Sequence, residues 1–416
     1  MREMKDSGIE WVGTIPAHWS TMPNKYVMRK IKVINPTYNG ENILSLTVNG
    51  VIVRDLEAGG KMPSSFDGYQ ILYKGNLLMC LFDYDVTPRC IGLIKDSGVS
   101  SPAYRQFVLQ RGNDAAYFYY YYLMVDHTKA LLHRAKNLRH SFTEEQLGAI
   151  KVPVPPIAEQ ERIADFLDSQ CSQIDAISAD IQKEIETLEQ YKRSLVFEAI
   201  SKGINGEKTA NASSDIWKEI PQSWKLVDIK YLFEIVKRIA GREGYNILSV
   251  TQKGLKVKDI SGNQGQIAEN YSGYQFVFPS DYVMNHMDLL TGWIDCSDQF
   301  GVTSPDYRVF RLRDKTQNDT EYYKYVMQCC YMCRIFYSLG QGVSTLGRWR
   351  LQTSAFMNFK VPVPPLHEQK EIARYLNDKC KEIELSIEQK RKQLELLSSY
   401  KKSLIYEYVT GKKEVI

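Results

Sequence analysis

Residues 151–167, KVPVPPIAEQERIADFL, return at 360–376 as KVPVPPLHEQKEIARYL. Followed on to residues 203 and 412 at a constant offset of 209, the two stretches agree at 21 of 53 positions, where random composition would give roughly three. The likeness continues upstream. Ile15-Pro16-Ala17-His18-Trp19 matches Ile220-Pro221-Gln222-Ser223-Trp224, and Ile43-Leu44-Ser45 matches Ile247-Leu248-Ser249. Gly68-Tyr69-Gln70 matches Gly273-Tyr274-Gln275, and Ser101-Pro102-Ala103-Tyr104-Arg105 matches Ser304-Pro305-Asp306-Tyr307-Arg308. One half of the chain is a diverged copy of the other. Two copies are too few for a solenoid. The reading is two similar globular units, each followed by a similar long helix, related by pseudo-two-fold symmetry.

After Pro155-Pro156, apolar residues fall at Ile163, Phe166, Ile174, Ile177, Ile181, Ile185, Leu188 and Leu195. Ile372, Leu376, Ile383, Ile387, Leu394, Leu397 and Leu404 repeat the pattern. Such spacing describes a helix with one narrow apolar seam. Proline in the first turn, followed by Glu159 or Glu368, suits a helix start, because its φ is preset and acids favour the positive end of the dipole. Gly203 and Gly411 suit the stops. Forty-odd residues at 1.5 Å each give a rod of roughly 60 to 65 Å. A lone seam would stay wet, so two such helices are expected to pair antiparallel. The alternative is that each packs on its own globular domain. The expected interface comprises Ile163, Ile174, Ile177, Ile181 and Leu188 against Ile372, Ile383, Ile387, Leu394 and Leu397.

The front parts, about 14–150 and 219–359, are rich in Gly, Tyr, Phe and Val and carry short apolar runs broken by turn residues, which reads as mostly β. Each has one helical candidate, Ala115 to His133 and Thr320 to Tyr337. The segment 203–214, GINGEKTANASS, reads as a polar linker. The fold class is thus α+β: two β-rich domains joined by two long helices pairing as an antiparallel coiled coil. Boundaries fall at 1–150, 151–205, 206–359 and 360–416.

Composition narrows the class. With 44% hydrophobic and 25% charged residues, the 416-residue chain is globular. No apolar run reaches the eighteen or so residues of a membrane span, and the charged start MREMKDSGIEW is no signal peptide, so a cytoplasmic protein is expected. Eight cysteines fit a reduced compartment. A net charge of +4 permits an anionic partner without demanding one. The 27 tyrosines stand out, since each offers a stacking face and a polar tip.

Catalytic signatures are missing. Glu57-Ala58-Gly59-Gly60-Lys61-Met62 lacks the first glycine of a P-loop, and Gly340-Gln341-Gly342 lacks the third of a dinucleotide fold. No HExxH, GxSxG or HRD occurs, nor does the (D/N)PP(Y/F) tetrapeptide of amino-methyltransferases. Cys329, Cys330 and Cys333 have no second pair at zinc spacing, so no metal site is expected. Asp83 and Asp85 have no matching acid pair in the second copy. What remains is basic and amide residues in loops. These are Arg89; Lys136, Asn137, Arg139 and His140; Lys237, Arg238 and Arg242; Lys253; and Gln341, Ser344, Arg348 and Arg350. Such side chains bind phosphates, and Arg, Asn and Gln also read base edges.

Tandem units each ending in VPxPPxxEQxxIAxxL and a long helix resemble the DNA-specificity subunit of type I restriction-modification systems. Trp11-Val12-Gly13-Thr14-Ile15-Pro16 with Trp19 is similar to the start of that family's target recognition domain. The resemblance implies two recognition domains, each reading half of a bipartite, asymmetric double-stranded DNA target. It implies helices that act as a spacer and dock two methyltransferase subunits, with restriction and motor subunits in the full complex. This chain would be non-catalytic and hold no cofactor; S-adenosylmethionine, ATP and Mg would sit on the partners. The alternative is a coiled-coil scaffold whose tandem domains bind protein.

Overall fold

The computed structural model describes residues 2–57, 63–135, 140–258, 270–342 and 349–415. The chain forms two compact units, Met1–Ile181 with Lys392–Ile416, and Gln182–Arg391. Each long helix is divided between the two units. The helices run Ile157–Lys202 and Leu366–Val409. Each unit therefore owns half of both.

The first unit holds a four-stranded antiparallel sheet in the order Met28–Ile31, Arg105–Leu109, Leu77–Met79, Ile91–Leu93. The second repeats it with Phe233–Val236, Arg308–Leu312, Tyr282–Met284 and Ile294–Cys296. A hairpin accompanies each sheet, Leu44–Thr47 with Gly50–Val53, and Leu248–Thr251 with Gly254–Val257. The KVPV tetrapeptides are strands as well. Lys151–Val154 pairs with Ser20–Pro23, and Lys360–Val363 with Lys225–Asp228. Two-stranded ladders tolerate the internal proline, which has no N–H to donate.

Two readings shift. Thr209–Asn211, inside the presumed linker, is a strand on Glu219–Pro221, as Met4–Asp6 is on Thr14–Pro16. The helical candidates are shorter than their apolar runs. Ala115–His127 ends before Lys129, which takes φ +48°, and Thr320–Met332 ends before Arg334 at φ +55°. Left-handed backbone stops a helix.

The repeated Glu-Gln dipeptide explains why each helix starts where it does. Gln160 and Gln369 are fully buried. The Gln160 side chain donates to Pro155 O at 2.8 Å and accepts from the Asp114 N–H at 2.8 Å. Gln369 donates to Pro364 O at 2.9 Å and accepts from the Asp319 N–H at 2.8 Å. Asp114 and Asp319 in turn cap the tyrosine-rich helices, accepting from Tyr117 N and Tyr322 N. The preceding carboxylates take the tryptophans: Trp19 Nε1 donates to Glu159 at 3.0 Å, and Trp224 Nε1 to Glu368 at 2.9 Å. Glu159 also meets His18 at 2.8 Å and Arg2. Burial opposes its ionisation, but the hydrogen bonds from His18, Arg2 and Trp19 outweigh it and hold the carboxyl below its ordinary value.

The helices pair antiparallel in each unit. In the first, Phe166 meets Tyr408 with ring centroids 4.4 Å apart, and Asp175 meets Lys401 at 2.6 Å. In the second, Glu184 meets Lys390 and Lys192 meets Glu384 at 2.5 Å. Numbers rising on one helix fall on the other. Both expected packings coexist, because the same helix segments also enter the domain cores. Ile163, Leu167, Cys171 and Ile174 join Leu404 and Val409 in one core; Val196, Ala199 and Ile200 join Ile372, Leu376 and Cys380 in the other.

Of the expected interface, Ile163, Ile174, Ile372, Ile383 and Ile387 are buried, and Ile181, Leu188, Leu394 and Leu397 are half-buried. Ile177 departs from the expectation: it is 49% exposed. The seam advances 163, 167, 171, 174 in steps of four and three, so its next place falls on half-buried Ser178. Ile177 lies one residue, about 100° of helix, off the stripe. We expect Ile185→Ala, at a buried seam position, to lower stability by about 2–5 kcal/mol. Ile177→Ala should stay within about 0.5 kcal/mol. Denaturant unfolding of the two variants measures the register.

Candidate nucleic-acid interface

The tyrosines do not form the interface their number suggests. Tyr117, Tyr120, Tyr121 and Tyr122 are buried, as are Tyr322, Tyr323 and Tyr325. Each buried hydroxyl needs a partner. Tyr117 donates to Val409 O at 2.9 Å, Tyr120 to Asp168 at 2.6 Å, and Tyr325 to Asn377 at 2.8 Å. These contacts fasten the tyrosine-rich helix of each unit to the long helices.

Each unit instead brings the same two loops together. In the first, the loop after strand Leu77–Met79 meets the segment after the tyrosine helix: Phe142 N donates to Leu81 O at 2.8 Å and Tyr84 N to His140 O at 3.3 Å. In the second, Leu351 N donates to His286 O at 3.0 Å and Leu289 N to Trp349 O at 3.1 Å. The scaffold repeats, whereas its side chains do not. The first unit places Asp85 3.0 Å from His140. The second gathers His286, Arg308, Gln341 and Arg350.

The sequence candidates divide by how they are held. Gln341 and Arg350 are exposed and pair across a short antiparallel bridge. Lys237 is exposed, and Lys253 is exposed at the tip of the 248–257 hairpin. Arg89 is engaged within its unit, donating to Val48 O at 2.7 Å, to Ile91 O at 3.2 Å and to the Tyr119 hydroxyl. Arg238 pairs with Asp281 and lies 4.7 Å over the Phe278 ring. Exposed Arg242 donates to the Tyr245 hydroxyl at 2.7 Å. Lys136, Asn137, Arg139, Ser344 and Arg348 lie outside the described residues.

Two residues of the second site escaped sequence reasoning. Arg308 is buried, donates to Leu351 O at 3.1 Å and Thr353 Oγ1 at 3.2 Å, and lies 4.9 Å over the Phe356 ring. Burial lowers its pKa to about 10, so it stays cationic. Its place in the repeated Ser-Pro-x-Tyr-Arg motif was the available signal. His286 is pushed down to about 4, by burial first and then by Arg308 and Arg350. Among the described residues, no three metal-ligating side chains converge. Cys329 and Cys330 are buried, with Cys333 Sγ 3.9 Å from Cys329 Sγ. No described helix is long and apolar enough to cross a membrane.

A histidine held neutral in the fold contributes stability that is fully present above its ordinary pKa of 6.5 and is lost as pH falls toward 4. His286→Asn should therefore weaken the fall in unfolding free energy between pH 7 and pH 5, as read by denaturant titration at both values. An unchanged pH dependence would show that His286 is not held neutral.

A family model described as the type I restriction modification DNA specificity domain matches residues 66–187 and 221–396. Two curated relatives come from Methanocaldococcus jannaschii. The type I restriction enzyme MjaVIII specificity subunit is 27% identical over 285 residues, covering 64% of this chain and 63% of the relative. The putative type I restriction enzyme MjaX specificity subunit is 27% identical over 305 residues, covering 69% and 64%. The matches thus span just under two thirds of each relative's length. A solved structure, described as the structural basis underlying complex assembly and conformational transition of the type I R-M system, shares the fold. Its TM-score is 0.66 at 13% identity, covering 96% of this chain and 99% of that one.

Proposed function

The chain belongs to the family of type I restriction-modification DNA specificity domains, and from that premise we propose that it is the non-catalytic subunit that selects the DNA target of a methylating and restricting complex. Each unit reads one half of a bipartite target. The observation that carries this is the repeated loop pair with unlike side chains: Asp85 and His140 in one unit, His286, Gln341 and Arg350 in the other. A shared scaffold with different chemistry at its reading face suits two different half-sites. The target is then asymmetric, unlike the palindromes of symmetric dimers.

The paired helices set the gap between half-sites and carry the docking surfaces for two methyltransferase subunits. Those partners supply S-adenosylmethionine, and restriction and motor subunits supply ATP- and Mg-dependent steps. Reading the DNA requires this chain to place hydrogen-bonding side chains at base edges and cations at phosphates, so affinity should fall steeply with salt.

Inserting about one helical turn, roughly four residues, into both long helices at facing positions should alter the unspecified gap and leave both half-sites intact. Methylome sequencing of cells making the chain with its modification partners reads this out. An unchanged gap would overturn the spacer role.

A further inference from the structure

The bridge between Gln341 and Arg350 has two unlike faces. Gln341 N–H donates to Arg350 O at 2.9 Å, and Arg350 N–H to Gln341 O at 3.0 Å. A pair that exchanges both bonds stands about 5.5 Å apart at Cα, with its side chains on one face. Their neighbours in sequence take the other face. That inner face is fixed. Trp349 stacks on Tyr337 at 5.3 Å with 28° between planes, and its Nε1 donates to Tyr337 O at 2.7 Å. Leu351 is buried, and its carbonyl holds the Arg308 guanidinium. Gly340 and Gly342 close over the indole so tightly that a Cβ would fall 2.4 and 2.1 Å from Trp349 ring atoms. With the inner face packed in this way, Gln341 and Arg350 project outward, both exposed.

An outward Arg beside an outward Gln across one antiparallel bridge is a specific chemistry. The guanidinium fork matches the O6 and N7 acceptors of guanine, and a carboxamide, donor and acceptor together, matches N6 and N7 of adenine. Arg89 and Arg238 have their guanidinium groups tied to protein partners, but Arg350 is exposed on a bridge whose two backbone hydrogen bonds and packed opposite face fix its place. Such preorganisation lowers the ordering cost of recognition.

We propose that Gln341 and Arg350 form a two-residue reading head that selects an adenine and a guanine at neighbouring positions of the half-site recognised by the second unit. The proposal rests on the chain being a DNA-specificity subunit. It assigns base classes to two residues of that unit.

The test is methylome sequencing of cells expressing the full chain with its modification partners, as wild type, Gln341→Ala, Arg350→Ala and Arg350→Lys. Arg350→Ala should make one guanine position of one half-site degenerate, with discrimination there falling roughly five- to a hundred-fold. Gln341→Ala should do the same at an adjacent adenine, and the other half-site should keep its sequence in both. Arg350→Lys keeps the charge but not the fork, so it too should relax the guanine position. If Arg350→Lys preserves the target while Arg350→Ala lowers modification evenly at all sites, Arg350 contacts phosphate and the proposal fails. Unaltered targets in both alanine variants also overturn it. If the wild type itself directs no sequence-specific methylation, the DNA-specificity reading fails instead, and the proposal with it.

Discussion

The fold depends on a buried Glu-Gln dipeptide at the start of each long helix. Gln160 and Gln369 reach from the helix start to the N–H of the aspartate that caps the tyrosine-rich helix. Glu159 and Glu368 hold the indole N–H of Trp19 and Trp224. Three separate segments of each unit are thereby fixed to one point. A buried donor left without its acceptor costs about 1–3 kcal/mol, so neither residue of the dipeptide can be exchanged for an apolar one without orphaning a distant partner. This is the physical reason that the dipeptide repeats unchanged in the two copies.

From this anchor the rest follows outward. The capped helix lies with its tyrosine hydroxyls fastened to the long helices, and its C-terminal end delivers the segment that meets the loop after the third sheet strand. The backbone of the paired loops is therefore set by the core and their side chains are free to differ. The low net charge of +4 is consistent with this division. Mixed-sign pairs such as Asp175–Lys401 and Lys192–Glu384 occupy the helices.

Much of the architecture was legible in the sequence because it is written twice. The helix starts and the four-and-three spacing of the seam are local properties. So is the β texture of the domains. What was not legible depends on contacts far apart in the chain. Ile177 looked apolar at helical spacing, but only the partner helix decides that Ser178 carries the stripe. Thr209–Asn211 looks like linker until its strand partner is known. Arg89 and Arg238 have the residue type of a DNA contact, and their contacts to Val48 O and Asp281 are visible only in the fold. His286 takes its character from burial and from neighbouring Arg308 and Arg350, and Arg308 from burial, which the repeated Ser-Pro-x-Tyr-Arg motif does not reveal. At Gln341 and Arg350 the sequence supplied the residues and the structure supplied the common outward face.

The central claim is that each unit selects its half of the target independently, on a scaffold held by its own Glu-Gln anchor. The direct measurement replaces residues 219–359 with the matching segment of a relative whose target is known, then maps methylated sites in cells carrying the modification partners. The account predicts that one half-site becomes the donor's, while the other half-site stays as it was. Change in both halves, or in neither, would contradict it.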